Sequence, residues 1–540
     1  MNRSTVLEGA RALRLAAAGL LLAMLLGPSA ALAATEGLPE AAARGDGQAV
    51  QALLKDGADP NATQADGTTA LLYAAHRGDA AMVAALIKAG ADVSAPNAYG
   101  ASPLRQAATI GATPVIEQLL RAGADANETN PEGETPLMIV ARTGDVAAAR
   151  LLLDHGARVD AREQWGGQTA LMWAAAQSQP EMVRLLIKAG ADVNARGKVR
   201  DWQRKITAEP RPKDMNKGGF TPLLYAAREG CIECARHLVK AGADIETGDP
   251  DRVTPLLLSI INLHWDLAAE LVRLGADVNR WDFYGRSPLY EAIDFNTFPS
   301  SGRNEVPPTE ETSPLELARM LLERGANPDM QLKLRPPYRH AIFDRGSDNI
   351  LSAGATPLLR AARASDNDAI RLLLAHGASV DLANAAGVTP LMATAGIGYG
   401  MRRSRGAFKT EEEGLESLDL LLAAGADINA RTYDPRGLQG YVGPDNYFSN
   451  YMPADGQTAM HGAAKNGWNK IIRYLVAHGA EIDVADEHGT TPYDLAMGRY
   501  EPAFLDTPPE PRKETAALLQ SLCKAQPGCR MEEGTAEAGF

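Results

Sequence analysis

Aromatic side chains make up only 5% of this 540-residue sequence, and cysteines number four. With alanine, leucine and glycine abundant instead, the composition suits closely packed small helices rather than a β-sandwich or a disordered chain. Long apolar runs are missing too. The one candidate, Leu15 to Leu26, is twelve residues, against the roughly 20 needed to cross a bilayer, so no integral membrane segment is expected. Basic excess is lacking: the formal charge is −13, which argues against nucleic acid or anionic lipid as a partner. There is no Gly-rich phosphate loop, no Gly-x-Ser-x-Gly elbow and no His-Glu-x-x-His pair. The turns Asp192-Val-Asn194 and Asp427-Ile-Asn429 lack the carboxylate density of a calcium loop. The nine histidines are scattered; His155, His376 and His478 each precede a helix-closing glycine, where the helix dipole favours them. No catalytic residue, cofactor or metal is therefore expected, and the chain reads as a non-enzyme.

What is present begins with a leader. Arg3, Arg11 and Arg14 precede the apolar run, Pro28 ends it, and Ala31-Leu32-Ala33 supplies small residues at a cleavage site. Residues 1–33 are expected to be a secretory signal cleaved after Ala33, giving a periplasmic or secreted protein. No cysteine near that site suggests a lipid anchor.

A chain this long exceeds one ordinary core, and self-similarity supplies the alternative. Gly-Ala-Asp or a close variant begins at Gly57, Gly90, Gly123, Gly156, Gly190, Gly242, Gly275, Gly325, Gly377, Gly425 and Gly479, the first three intervals being 33 residues. In phase with it runs Thr/Ser-Pro/Ala-Leu, as in Thr69-Ala-Leu71, Ser102-Pro-Leu104, Thr221-Pro-Leu223 and Thr389-Pro-Leu391. Thr or Ser caps a first helix and Pro sits where a missing N–H costs nothing. In the unit starting at Thr221, Ala226 and Ala227 permit close helix approach, Gly230 ends the helix, and Gly242 closes a second helix in the left-handed conformation. The period and both markers resemble the ankyrin repeat. The resemblance spans about twelve units from Leu38 to Cys523 and implies an all-α, ankyrin-type solenoid with inter-repeat hairpin turns and capped ends. The family's His after Thr-Pro-Leu survives only as His461.

Marker spacing locates five insertions. Three fall in inter-repeat turns, with excesses of 19 after Gly190, 19 after Gly325 and 21 after Gly425; two fall between paired helices, 17 after Ser287 and 15 after Thr389. The expected organisation is thus signal 1–33, regular repeats 34–196, inserted repeats 197–498, and a capping helix with tail 499–540. Loops this long are usually functional or disordered. They carry aromatics and arginines, the residue types that dominate binding hot spots: Trp202 and Arg204; Tyr338, Arg339 and Phe343; Arg402 and Arg403; Tyr441, Tyr447, Phe448 and Tyr451. These are the candidate partner-binding residues, and the same rings could instead pack the loops onto their own scaffold.

The four cysteines allow three pairings, and distance along a solenoid leaves only the local bridges Cys231–Cys234 and Cys523–Cys529. The second would pin the C-terminal cap. For Cys231 and Cys234 a structural bridge, packed thiols and a redox pair at a helix start remain open. The reading as a whole is a monomeric, non-catalytic scaffold that holds a protein partner through its concave face and fingers. Its rivals are a redox or metal-handling accessory protein using Cys231 and Cys234, and a secreted effector binding a host protein.

Overall fold

The computed structural model describes residues 37–201, 217–297, 310–334, 336, 350–351, 353–398, 410–433, 455–499 and 510–530, and the backbone of 205–206 and 213–214. Two compact parts, 1–124 and 125–540, divide the chain. The described residues of the first hold three helix pairs, from Leu38–Arg44 with Gly47–Lys55 to Pro103–Ile110 with Thr113–Arg121. Those of the second hold nine, from Pro136–Thr143 with Val146–Asp154 to Pro492–Ala496 with Lys513–Ala525. These twelve pairs among the described residues are the ankyrin-type, all-helical architecture that the resemblance implies.

After Leu38–Arg44, which follows Gly37 without a side-chain cap, first helices start where a Thr or Ser hydroxyl meets an orphan amide. The Thr221 hydroxyl accepts from the Leu224 N–H at 3.3 Å, and Thr254 does the same for Leu257, with Pro next in both helices. The first helices end on left-handed residues such as Gly78 and Gly230, with φ of 69° and 76°, which any Cβ would strain. One residue later an aspartate, Asp79 or Asp145, caps the second helix through its N3 amide. Within each part, first helices stack on first helices and second on second. The alanine pairs Ala74–Ala75, Ala226–Ala227 and Ala361–Ala362, all fully buried, let those backbones approach.

The turns keep one geometry whether or not they carry an insertion. In regular turns the first residue's N–H bonds the carbonyl four residues on: Asn97 to Ala101 at 3.0 Å, Asp249 to Val253 at 3.1 Å, Asp282 to Arg286 at 3.2 Å. In the long turns the same closure joins Gly197 to Phe220 at 3.0 Å, Leu332 to Ala355 at 3.0 Å and Thr432 to Gln457 at 2.9 Å. The extra residues therefore leave from the fingertip. The first insertion continues as a two-stranded ribbon, pairing Val199 with Gly218, then Lys205–Ile206 with Lys213–Asp214. That ribbon is the one strand ladder among the described residues. The interhelical insertions run between Asn296 and Pro314 and between Thr394 and Glu411. A third such break, which marker spacing does not reveal, separates Ala496 from Lys513 in the last pair.

Buried charge concentrates in the repeats around the first interhelical insertion. Arg286 donates from Nε to Asp282 at 2.7 Å, both being almost wholly buried. Arg360, fully buried, donates from Nε to Asp294, and its terminal nitrogens have no acceptor among the described residues. Breaking such a pair strands a charge in low dielectric. Asp294→Ala should therefore lower stability by about 3–5 kcal/mol. By contrast Asp368→Ala, which removes an exposed 3.2 Å pair with Arg371, should cost less than about 1 kcal/mol. Urea denaturation of both variants checks the contrast.

His461 is the family histidine in place. Its Nδ1 accepts the Thr458 N–H at 3.1 Å and its Nε2 lies 3.1 Å from the Thr490 carbonyl, so the neutral ring carries its proton on Nε2. Burial holds its pKa down at about 4. The unfolded chain therefore binds the proton first: the stabilisation is complete above about pH 6.5 and is lost progressively as pH falls toward 4. Over that window stability should fall by about 3 kcal/mol, and His461→Gln should flatten the slope measured by denaturation at stepped pH.

Candidate partner-binding surface

All eleven residues expected to bind a partner lie outside the described residues: Trp202, Arg204, Tyr338, Arg339, Phe343, Arg402, Arg403, Tyr441, Tyr447, Phe448 and Tyr451. The described turns display a different set of rings. A polar side chain folds back into each tip, as when Asn97 Oδ1 accepts from the Tyr99 and Ala101 amides, or Asp282 Oδ1 from Tyr284 and Arg286. Such turns bond their own backbone and aim the next side chain outward. In the first part this presents Tyr99, 78% exposed. In the second it presents Trp165 at 74%, Phe283 at 41% and Tyr433 at 52%. The sequence signal for Tyr99, Trp165 and Phe283 is an aromatic one or two residues before a turn glycine, as in Tyr99-Gly100 and Trp165-Gly166; Tyr433 opens its long turn and carries no such signal.

Neighbouring tips in the second part are tied by backbone bonds: Gln164 N–H to Glu132 O at 2.7 Å, Lys198 to Gly166 at 2.7 Å, Phe283 to Asp251 at 2.8 Å and Lys333 to Tyr284 at 2.8 Å. Along this ridge the rings carry cations on their faces. The Arg200 guanidinium lies 3.5 Å from the Trp165 centroid. Arg252 lies 4.0 Å, and Lys333 Nζ 3.2 Å, from that of Trp281. Cation–ring contact of this kind holds both partners in one geometry. Other cations of the ridge are anchored on carbonyls: Arg162 on Gly167 and Arg196, the latter at 2.6 Å, Arg196 on Gly219 and Gly248 at 2.9 and 3.0 Å, and Lys198 on Gln164.

Both local disulfides are formed, Cys231–Cys234 and Cys523–Cys529. Cys231 occupies the place that Asp79 and Asp145 hold elsewhere: its sulfur accepts the Cys234 N–H at 3.3 Å and caps the helix Ile232–Lys240. Cys234 is fully buried and Cys231 is 9% exposed. A redox pair needs an approachable sulfur, and this one is enclosed as a staple. Among the described residues no group of three or more His, Cys, Asp or Glu could hold a metal ion. A double variant, Cys231→Asp with Cys234→Ala, should restore an aspartate cap and lose no more than about 2 kcal/mol. Unfolding by denaturant checks this, and complete loss of folded protein would contradict the equivalence of the aspartate and cystine caps.

Stacked helix pairs joined by tied hairpin turns define a helical repeat protein. Sequence-family models bear this out: "Ankyrin repeats (3 copies)" matches residues 38–130, 104–197, 223–332 and 412–503, and "Ankyrin repeat" matches 353–385. The chain belongs to the ankyrin-repeat family. It is 29% identical over 317 residues to the mouse (Mus musculus) B-cell lymphoma 3 protein homolog, covering 56% of this chain and 56% of the relative. It is 29% identical over 305 residues to human (Homo sapiens) ankyrin repeat and SOCS box protein 16, covering 55% of this chain and 51% of the relative. The chain thus spans about half the length of these relatives. Among solved structures, the human ASB11 ankyrin repeat domain matches at 25% identity with a TM-score of 0.37, over 44% of this chain and 98% of that one. Among the described residues no helix is long and apolar enough to cross a membrane.

Proposed function

We propose that this protein is a non-catalytic scaffold that binds a protein partner through its fingers and concave face, in the cell envelope or outside the cell. The observation that carries the reading is the row of exposed turn-tip rings in the second part, three of them at least 41% exposed. Large rings left in water at tied, rigid positions lose little entropy on being covered, and are typical of binding hot spots. Membership of a family of protein-interaction repeats supports the same use. Two closed disulfides with no free cysteine among the described residues suit an oxidising compartment, in keeping with the leader-like residues 1–33 and a monomer working after export.

The test compares the mature protein with a variant whose residues 432–454 are replaced by a regular turn. Each is immobilised and offered envelope extract, culture medium and cytosolic extract in turn. The expected outcome is a partner retained by the first and lost, or weakened at least about tenfold, with the second. A partner retained equally by both would move the site off that finger. Recovery of the partner only from cytosolic extract would overturn the location.

A further inference from the structure

We infer that the ridge of turn tips between Arg162 and Lys333 is a docking strip for an extended, acidic segment of the protein partner; this deepens the scaffold reading above and rests on it. The strip is assembled by charge. Arg162, Arg196, Lys198, Arg252 and Lys333 are all exposed, and among the described residues no carboxylate comes within ion-pair distance of any of them. Three are satisfied by carbonyls and two by the face of Trp281. A carbonyl or a ring orients a cation without cancelling its charge, while Glu163 and Asp249 of the same tips turn onto backbone amides of their own turns, so the five cations are what these tips offer a negative ligand.

Those cations sit on a chain with a formal charge of −13. A long polyanion overrunning the strip would meet an acidic surface, whereas a short acidic segment would not. The strip follows five consecutive turns, or about four helix-to-helix steps of roughly 8–10 Å. An extended peptide of about ten to twelve residues covers that length at roughly 3.3 Å per residue. Trp165, with Arg200 on one side, offers an apolar contact along the path. The occupant is therefore an acidic peptide stretch with interspersed apolar residues, approaching along the ladder of tied tips.

The test uses the full mature protein and a labelled peptide of about twelve residues, alternating Glu with Leu and Gly, read by fluorescence anisotropy. A Lys-for-Glu peptide and a single-stranded oligonucleotide of the same length serve as competitors. Binding of the acidic peptide is expected to weaken at least about tenfold between low and physiological salt, as screening of the strip requires. The triple variant Lys198→Glu, Arg252→Glu, Lys333→Glu is expected to weaken it at least about tenfold more, and Trp165→Ala about threefold or more. Helix content of the triple variant is checked by circular dichroism. The neutralising set Lys198→Gln, Arg252→Gln, Lys333→Gln, expected to give an intermediate loss, keeps the test valid where charge reversal unfolds the chain. Equal binding of the Lys peptide, or an unchanged affinity in both triple variants, overturns the strip. Tighter binding of the oligonucleotide than of the peptide overturns the protein occupant. A peptide failure alongside a partner captured through residues 432–454 defeats the strip and leaves the scaffold standing.

Discussion

Everything in this fold hangs on how one repeat is registered against the next. Its helices are seven to thirteen residues long apart from two of five, too short to persist alone in water, so each repeat stands only when its neighbour buries it. The registering contact is small. In the second part the Asn194 amide donates to the Gly242 carbonyl at 3.1 Å and its oxygen accepts the Asp244 N–H at 2.8 Å. Asn279 repeats the pattern with Gly325 and Asn327, and Asn429 with Gly479 and Glu481. In the first part Asn61 makes the same two bonds to Gly90 and Asp92. The sequence distance bridged is 29 residues for Asn61 and 48 for Asn194, yet the geometry hardly changes. The Asn of Gly-Ala-Asp-Val-Asn is there to be read by the following repeat.

That constancy explains how the chain accepts long insertions. A loop that leaves from a closed turn base perturbs neither the base nor the register, and lengthening a loop adds little closure entropy, about 0.6 kcal/mol per doubling. The Gly197–Phe220, Leu332–Ala355 and Thr432–Gln457 closures are the regular closure with residues added beyond it. Interhelical insertions meet a different demand, since the second helix needs a new start. Ser313 and Thr410 supply it, each in a capping box with Glu316 or Glu413. The arriving chain is also pinned, as Asp266 accepts the amides of Glu311 and Thr312 at 2.9 and 2.8 Å.

Much of this was legible because it is written in residues with one physical job. Thr or Ser followed by Pro fixed the helix starts, and the paired marker distances put the turn insertions at the fingertips where the closures now lie. The break between Ala496 and Lys513 was not legible, because the final repeat has no closing Gly-Ala-Asp to measure against. The tip rings were missed for another reason. Tyr99 and Trp165 look like ordinary turn residues until it is seen that Asn97 and Glu163 bond back into the turn and leave the rings facing water. Cys231 carried a usable clue: it follows Gly230 where Asp79 and Asp145 follow Gly78 and Gly144, so its place is a cap. The eleven residues singled out on the insertions fall outside the described residues, and the structure adds nothing to their assignment.

The distribution of charge separates the faces of the second part. On the second helices cations meet carboxylates: Arg184 with Glu181, Arg236 with Glu233 and Glu270, Arg371 with Asp368 and Glu416, Lys470 with Glu412. Exposed pairs like these add little stability, but each cancels much of its partner's field. The ridge of tips is arranged otherwise. Its exposed cations Arg162, Arg196, Lys198, Arg252 and Lys333 bond carbonyls and rings, which orient a guanidinium or ammonium and leave its charge outstanding. In a chain with more acidic than basic residues, carboxylates are not in short supply, so local pairing could have quenched the ridge. Exposed cations held on carbonyls and rings are free to meet something negative laid across them, and they stand on the edge where Trp165 and Phe283 also face water.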